Sequence, residues 1–284
     1  MCVLHQSKKT RYLITFFIIF VILIPVACSG GSMDDKAIAY EKLSDVPDAA
    51  WQKLASRKIY FGHQSVGYNI LDGVREIIKE NPKIRLTIEE NYDPDKFKSG
   101  VISHSRIGYN EDPKSKLDML SFLVKSSGDE KVDIMFFKFC YVDFNSNTDV
   151  KALFHDYEST FAQFKAKYPK ITFVHLTSPL TSIQTGIKAS IKRIVGRPVA
   201  GITENAKRQE FNQLLRQTYA GKYPFFDIAA IESTLPDGSR ATYEYNGTTY
   251  YSLAQEYTND GGHLNEQGRR IVASRLLLTL AALP

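Results

Sequence analysis

Lys58-Ile59-Tyr60-Phe61-Gly62-His63-Gln64-Ser65-Val66-Gly67 is the stretch whose reading decides the fold. Ile59, Tyr60 and Phe61 are β-branched or aromatic and stop at Gly62, which marks a buried strand ending in a turn. From Val66 onward apolar residues recur at Ile70, Val74, Ile77 and Ile78, a spacing that predicts a helix over 66–80. Ser65 therefore stands at the mouth of a helix, where unpaired N–H groups and the helix dipole favour developing negative charge. Two roles fit that place: a nucleophile with an oxyanion forming beside it, or a plain helix cap.

Outward from this stretch, strand-like and helix-like segments alternate. Strands are predicted at 58–61, 85–89, 132–139, 171–176 and 225–231, and helices at 66–80, 114–126, 150–168, 204–219 and 266–280. In the third helix Val150, Leu153, Phe154, Tyr157, Phe161, Phe164 and Tyr168 trace one face. The run Val132-Asp133-Ile134-Met135-Phe136-Phe137 is almost continuously apolar, as strands covered on both faces are. The alternation implies an α/β fold of three layers, α/β/α, around a mostly parallel five-stranded sheet. Between Leu235 and Leu253 the pattern changes. Pro236-Asp237-Gly238 is a turn, and Asn246-Gly247 between tyrosine-rich runs predicts an inserted β-hairpin, a stronger reading than the Asn-Gly-Thr glycosylation sequon at the same place.

The first 27 residues are a separate matter. Lys8, Lys9 and Arg11 precede an apolar run from Tyr12 to Ala27, with no acidic residue in the segment, which is the layout of a secretory signal. Ile24-Pro25-Val26-Ala27-Cys28-Ser29 resembles the lipobox of bacterial lipoproteins, with Pro25 where an aliphatic residue is usual. That resemblance implies acyl chains on Cys28, the start of a tether, and an exported protein held at a bacterial membrane, periplasmic or at the outer membrane or cell surface. Residues 33–50 are mixed and polar, which extends the tether over 28–50 with a first short helix and leaves a folded domain over 51–284. Without residues 1–27 the formal charge falls from +5 to +2, so no nucleic-acid partner is implied. Of three cysteines, Cys2 leaves with the signal, Cys28 is the lipidation site, and Cys140 reads as a small core residue.

Chemistry is expected past the carboxyl ends of parallel strands. Thr258-Asn259-Asp260-Gly261-Gly262-His263 offers a carboxylate and an imidazole flanking two glycines, just before the last helix. His263 suits a general base, with Asp260 fixing its tautomer; a plain turn with a surface histidine is the alternative. Strand-turn-serine-helix at the start of the domain and Asp-x-x-His at its end resemble the SGNH/GDSL hydrolase family over about residues 58–280. The resemblance implies a flavodoxin-like α/β/α fold and an esterase triad of Ser65, His263 and Asp260, with no cofactor. It implies Gly108 as an oxyanion-hole residue. It also places the family's third block, Gly-x-Asn-Asp, near Cys140-Tyr141-Val142-Asp143, where Asp143 matches and the oxyanion asparagine does not. Asn110 or Asn145 is then a substitute amide.

His63 and His104 either line the cleft or satisfy local hydrogen bonds, and His155 and His175 read as structural. No histidine pair has zinc-like spacing and there is no Cys-x-x-Cys, so no metal site is expected. Lys188, Lys192, Arg193 and Arg197 form either a solvated face or a guide for an acidic glycan or anionic headgroups. Tyr243, Tyr245, Tyr250 and Tyr251 either stack on sugars or pack across the hairpin. The expected protein is an exported, lipid-anchored acyl or acetyl esterase of carbohydrate or envelope esters; a non-catalytic glycan-binding lipoprotein with the same fold is the alternative.

Overall fold

Strand β1 (Lys58–His63) lies at the centre of a six-stranded sheet, and its residues show why. Ile59 and Phe61 point into one apolar layer and Tyr60 into the other, all three without solvent contact. The computed structural model describes residues 40–184, 186, 191 and 199–284. Its other sheet strands are β2 (Thr87–Glu90), β3 (Val101–Arg106), β4 (Ile134–Phe137), β5 (Thr172–Leu176) and β6 (Phe225–Phe226). They run in the order β2-β3-β1-β4-β5-β6, every pairing parallel.

Helices α1 (Asp48–Ala55), α2 (Val66–Glu80) and α7 (Glu266–Ala281) cover one face, contributing Trp51, Ile70, Val74, Val272 and Leu276 to the core. Helices α3 (Pro113–Ser127), α4 (Val150–Lys167) and α5 (Ile202–Tyr219) cover the other through Leu120, Phe161 and Phe211. Each such buried large side chain stabilises the fold by roughly 1.5–3 kcal/mol relative to exposure. The three-layer α/β/α reading therefore holds, with six strands in place of five.

The additional strand is β3, and its sequence explains the difference. Val101-Ile102-Ser103-His104-Ser105-Arg106 carries four polar residues, yet residues 103–105 are buried. Two of the polar groups find partners on β1: Ser105 Oγ is 2.7 Å from Tyr60 Oη, and His104 Nδ1 is 3.0 Å from His63 Nε2. The opposite correction falls at 225–231. Only Phe225–Phe226 is strand, because Asp227 accepts the Ala230 amide at 3.0 Å and starts helix α6 (Ile228–Glu232).

The hairpin forms as expected from β7 (Thr242–Tyr245) and β8 (Thr248–Tyr251), with Asn246 and Gly247 both at positive φ. Tyr243 and Tyr250 stack across it at 5.6 Å, the packing role for these tyrosines. Residues 40–50, read as the end of a tether, pack against the domain: Val46 is buried and α1 starts at Asp48. The signal segment 1–27, Cys28, Lys188, Lys192, Arg193 and Arg197 lie outside the described residues.

Candidate active site

The end of β1 and the start of α2 are joined by Gln64 and Ser65 alone. The turn closes through the amides of Gly67 and Tyr68, which donate to the carbonyls of Gln64 and Ser65 at 2.8 and 2.9 Å. His63 fills the space beneath it: a Cβ on Gly67 would fall within 2.2–2.4 Å of that side chain, so the close approach demands glycine. Ser65 is the N-cap residue of α2, yet its side chain makes no capping hydrogen bond. The hydroxyl is thus left uncommitted at the amino end of a 15-residue helix.

His63 and His104 take the local role, hydrogen-bonded to each other and buried. Burial, reinforced by the Lys138 charge, pushes His63 down to about 2, so it stays neutral. His175 is likewise structural, 2.8 Å from the Tyr157 hydroxyl on α4, and burial pushes it down to about 3. Cys140 is buried with a free thiol, 3.7 Å from the Lys138 ammonium.

Asp260 and His263 meet before α7. Nδ1 of His263 lies 2.6 Å from Oδ2 of Asp260, whose Oδ1 accepts the amides of His263 and Gly262 at 2.8 and 2.9 Å. Burial alone would raise the Asp260 carboxyl, but these donors outweigh it and hold the group well below the usual carboxylate range. An ionised carboxylate can only accept, so Nδ1 carries a proton, and in the neutral ring this tautomer turns the lone pair of Nε2 outward. Asn69, one turn beyond Ser65 on α2, accepts the Leu264 amide at 3.3 Å and so fastens the Ser65 helix to the His263 segment. Ser65 and His263 themselves are not hydrogen-bonded in this structure.

The loop after β3 carries Gly108, the residue expected from the family resemblance in an oxyanion hole. Gly108 has φ of +55°, and a Cβ there would fall 2.6 Å from the backbone nitrogen of Lys116. This left-handed conformation turns its carbonyl to Gln64, whose Nε2 donates to the oxygens of Ile107 and Gly108 at 3.0 and 2.8 Å. Among the described residues the amides of Gly108 and Ser65 have no acceptor. Asn110 is exposed and makes no hydrogen bond among the described residues. Asn145 commits its Oδ1 to the Asn147 amide at 2.8 Å.

Asp143, matched to the family's third block, is a fully buried bracket between two loops. It takes the Lys116 ammonium at 2.5 Å and the amides of Glu111 and Cys140 at 3.0 and 2.7 Å. Sequence reasoning missed Tyr141, although it lies inside that block. Its ring meets His263 edge-on at 5.8 Å and would contact a Cβ on Gly262, and its hydroxyl has no partner among the described residues. Burial, with the Asp260 charge, raises its pKa, so it remains an O–H donor.

No family model and no curated protein matches the sequence. Solved structures match its fold. A protein assigned as a GDSL-like lipase from Parabacteroides merdae is similar with a TM-score of 0.50 and 11% identity, over 80% of this chain and 97% of the other. The chain has the fold of the GDSL-like, or SGNH, hydrolases. A GDSL-like lipase from Bacteroides thetaiotaomicron is similar with a TM-score of 0.48 and 15% identity, over 80% and 89% of the two chains. Within this fold Ser65, Gly108, Asp260 and His263 all follow the carboxyl ends of sheet strands or precede α7, at the end of the sheet where such folds hold ligands.

Proposed function

We propose that the protein is a serine ester hydrolase of the SGNH type, exported and lipid-anchored through Cys28, that removes acyl groups such as acetyl from carbohydrate or other envelope esters. The observation that carries the hydrolase reading is the Asp260–His263 pair, which leaves Nε2 free as a base on the segment that Asn69 fastens to the helix of the uncommitted Ser65. Ser65 Oγ attacks the ester carbonyl and Nε2 of His263 takes its proton. Asp260 stabilises the imidazolium. The alcohol leaves with that proton, and water then releases the acid from the acyl-serine by the same steps in reverse.

Negative charge on the carbonyl oxygen is received by the Ser65 and Gly108 amides, both otherwise unpaired among the described residues. The Tyr141 hydroxyl takes the role of the asparagine that Val142 replaces. One such donor contributes roughly 2.7–4 kcal/mol to the transition state. The export and anchor rest on the sequence of residues 8–32.

A glycan-binding protein without activity is the second reading, favoured by Val142 and by the missing Ser65–His263 hydrogen bond. Turnover of 4-nitrophenyl acetate and of acetylated xylan separates the two. The hydrolase predicts activity lost in Ser65→Ala and in His263→Ala, whereas the binding protein predicts no turnover beyond background in any of them. Metabolic labelling with a fatty acid, lost in Cys28→Ala, checks the anchor.

A further inference from the structure

Beside the Asp260–Gly262 segment opens a cavity of about 930 Å³, and Arg208 of α5 lines it. The arginine is only 3% exposed. Nε donates to the Tyr141 carbonyl at 2.9 Å, and Nη1 donates to Thr181 Oγ1 at 3.0 Å and to Asn205 Oδ1. These bonds fix the guanidinium plane. They also leave Nη2 with no partner among the described residues.

What the arginine lacks is a contact ion pair, although Glu204 and Glu232 act on its charge from further away. Lys116 has Asp143, Arg216 has Asp227 and Arg269 has Glu76, but among the described residues no carboxylate comes within ion-pair distance of Arg208. Lys138 is a second buried cation without an ion pair among the described residues, and it does not line the cavity. Burial lowers Arg208 to about 10, which still leaves it charged at neutral pH. A desolvated, positioned guanidinium with no contact ion pair and a free Nη2 in the wall of an open cavity is suited to an anion arriving from solvent.

The surroundings limit what that anion is. Glu111, Glu204 and Asp260 line the same cavity, so a multiply charged group such as a phosphate monoester meets repulsion there. A single carboxylate meets less. The free Tyr141 hydroxyl and Asn145 offer further polar groups on the same wall.

We propose that this cavity is a substrate subsite in which Arg208 Nη2 binds a carboxylate carried by the ester. The proposal builds on the hydrolase reading and names its substrate class. The carboxylate belongs either to the alcohol, as in an acetylated uronic acid, or to the acyl group, as in a hemisuccinate.

The test compares kcat/KM of native protein and of Arg208→Gln on 4-nitrophenyl acetate, 4-nitrophenyl hemisuccinate, acetylated methyl glucoside and acetylated glucuronic acid. Native protein is expected to favour one acidic ester at least tenfold over its neutral counterpart, mostly through KM, with that preference falling to near one in the variant. Which acidic ester is favoured tells acyl from alcohol. Equal turnover of acidic and neutral esters, or a preference that survives in Arg208→Gln, overturns the proposal. Titration of native protein with D-glucuronate, monomethyl succinate and neutral D-glucose needs neither turnover nor a folded variant. Selective binding of one acid supports the subsite even if no ester is hydrolysed, and no binding of either acid overturns it.

Discussion

His263 holds its Nδ1 2.6 Å from Asp260 Oδ2, while the other oxygen of that carboxylate is occupied by the backbone amides of Gly262 and His263. The acid is thereby locked to its histidine by the same short turn that joins them. Asp260→Asn keeps the side-chain shape but can present an N–H to Nδ1, which moves the ring proton to Nε2. We expect kcat on an acetyl ester to fall about 10⁴-fold, with KM nearly unchanged. The His263 and Asp260 side chains are partly exposed, at 40% and 57%, so the thermal midpoint should stay close to native. Steady-state kinetics beside thermal denaturation check both halves.

Tyr141→Phe removes a hydroxyl that has no hydrogen-bond partner among the described residues, so nothing buried is left unsatisfied. If the hydroxyl receives the oxyanion, kcat falls about 10²–10³-fold without loss of stability. An unchanged kcat would remove Tyr141 from the oxyanion hole.

The Lys116–Asp143 pair tests the bracket between the loops after β3 and β4. Lys116→Met leaves a carboxylate fully buried with only amide donors, and should cost about 3–5 kcal/mol in urea unfolding. Lys170→Met, which breaks the solvent-exposed pair with Glu130, should leave the midpoint almost unchanged.

Stability should peak near the ordinary histidine value of 6.5. His63 and His175 are pushed down to about 2 and 3 in the folded chain, so the unfolded chain binds more protons below 6.5. Each then removes about 1.4 kcal/mol per pH unit as pH falls through that range. Glu232 works in the other direction. Burial raises it from 4.5 to about 8, so between those values the folded chain binds the extra proton and stability declines with rising pH. These histidines, joined by His104, which burial also lowers, outweigh one glutamate below about 6.5, and the glutamate acts alone above it. Urea unfolding at steps from about pH 4.5 to about pH 8.5 measures the peak, and His175→Gln should flatten its acidic side.

Much of this molecule could be read from residue patterns. Helical spacing of apolar residues located α2, α4 and α7 almost to the residue, because those elements carry apolar faces against one sheet. Ser65, Asp260 and His263 stood out because turns beside strand and helix ends are short-range features. What stayed hidden depends on pairing across the sheet. β3 carries polar residues whose partners Tyr60 and His63 are more than 40 positions away, so no local pattern marks it as a strand. Asp227 turns an apolar run into a helix by capping. Arg208 looks like any charged residue on a polar helix until Tyr141, Thr181 and Asn205 enclose it.

The chemistry proposed for this fold depends on Ser65 being a nucleophile. Incubating the purified protein with a fluorophosphonate and mapping the adduct by peptide mass spectrometry tests this most directly. The prediction is one adduct, on Ser65, that forms slowly in His263→Ala and is absent in Ser65→Ala. No adduct on the native protein, or one on another residue, would contradict it.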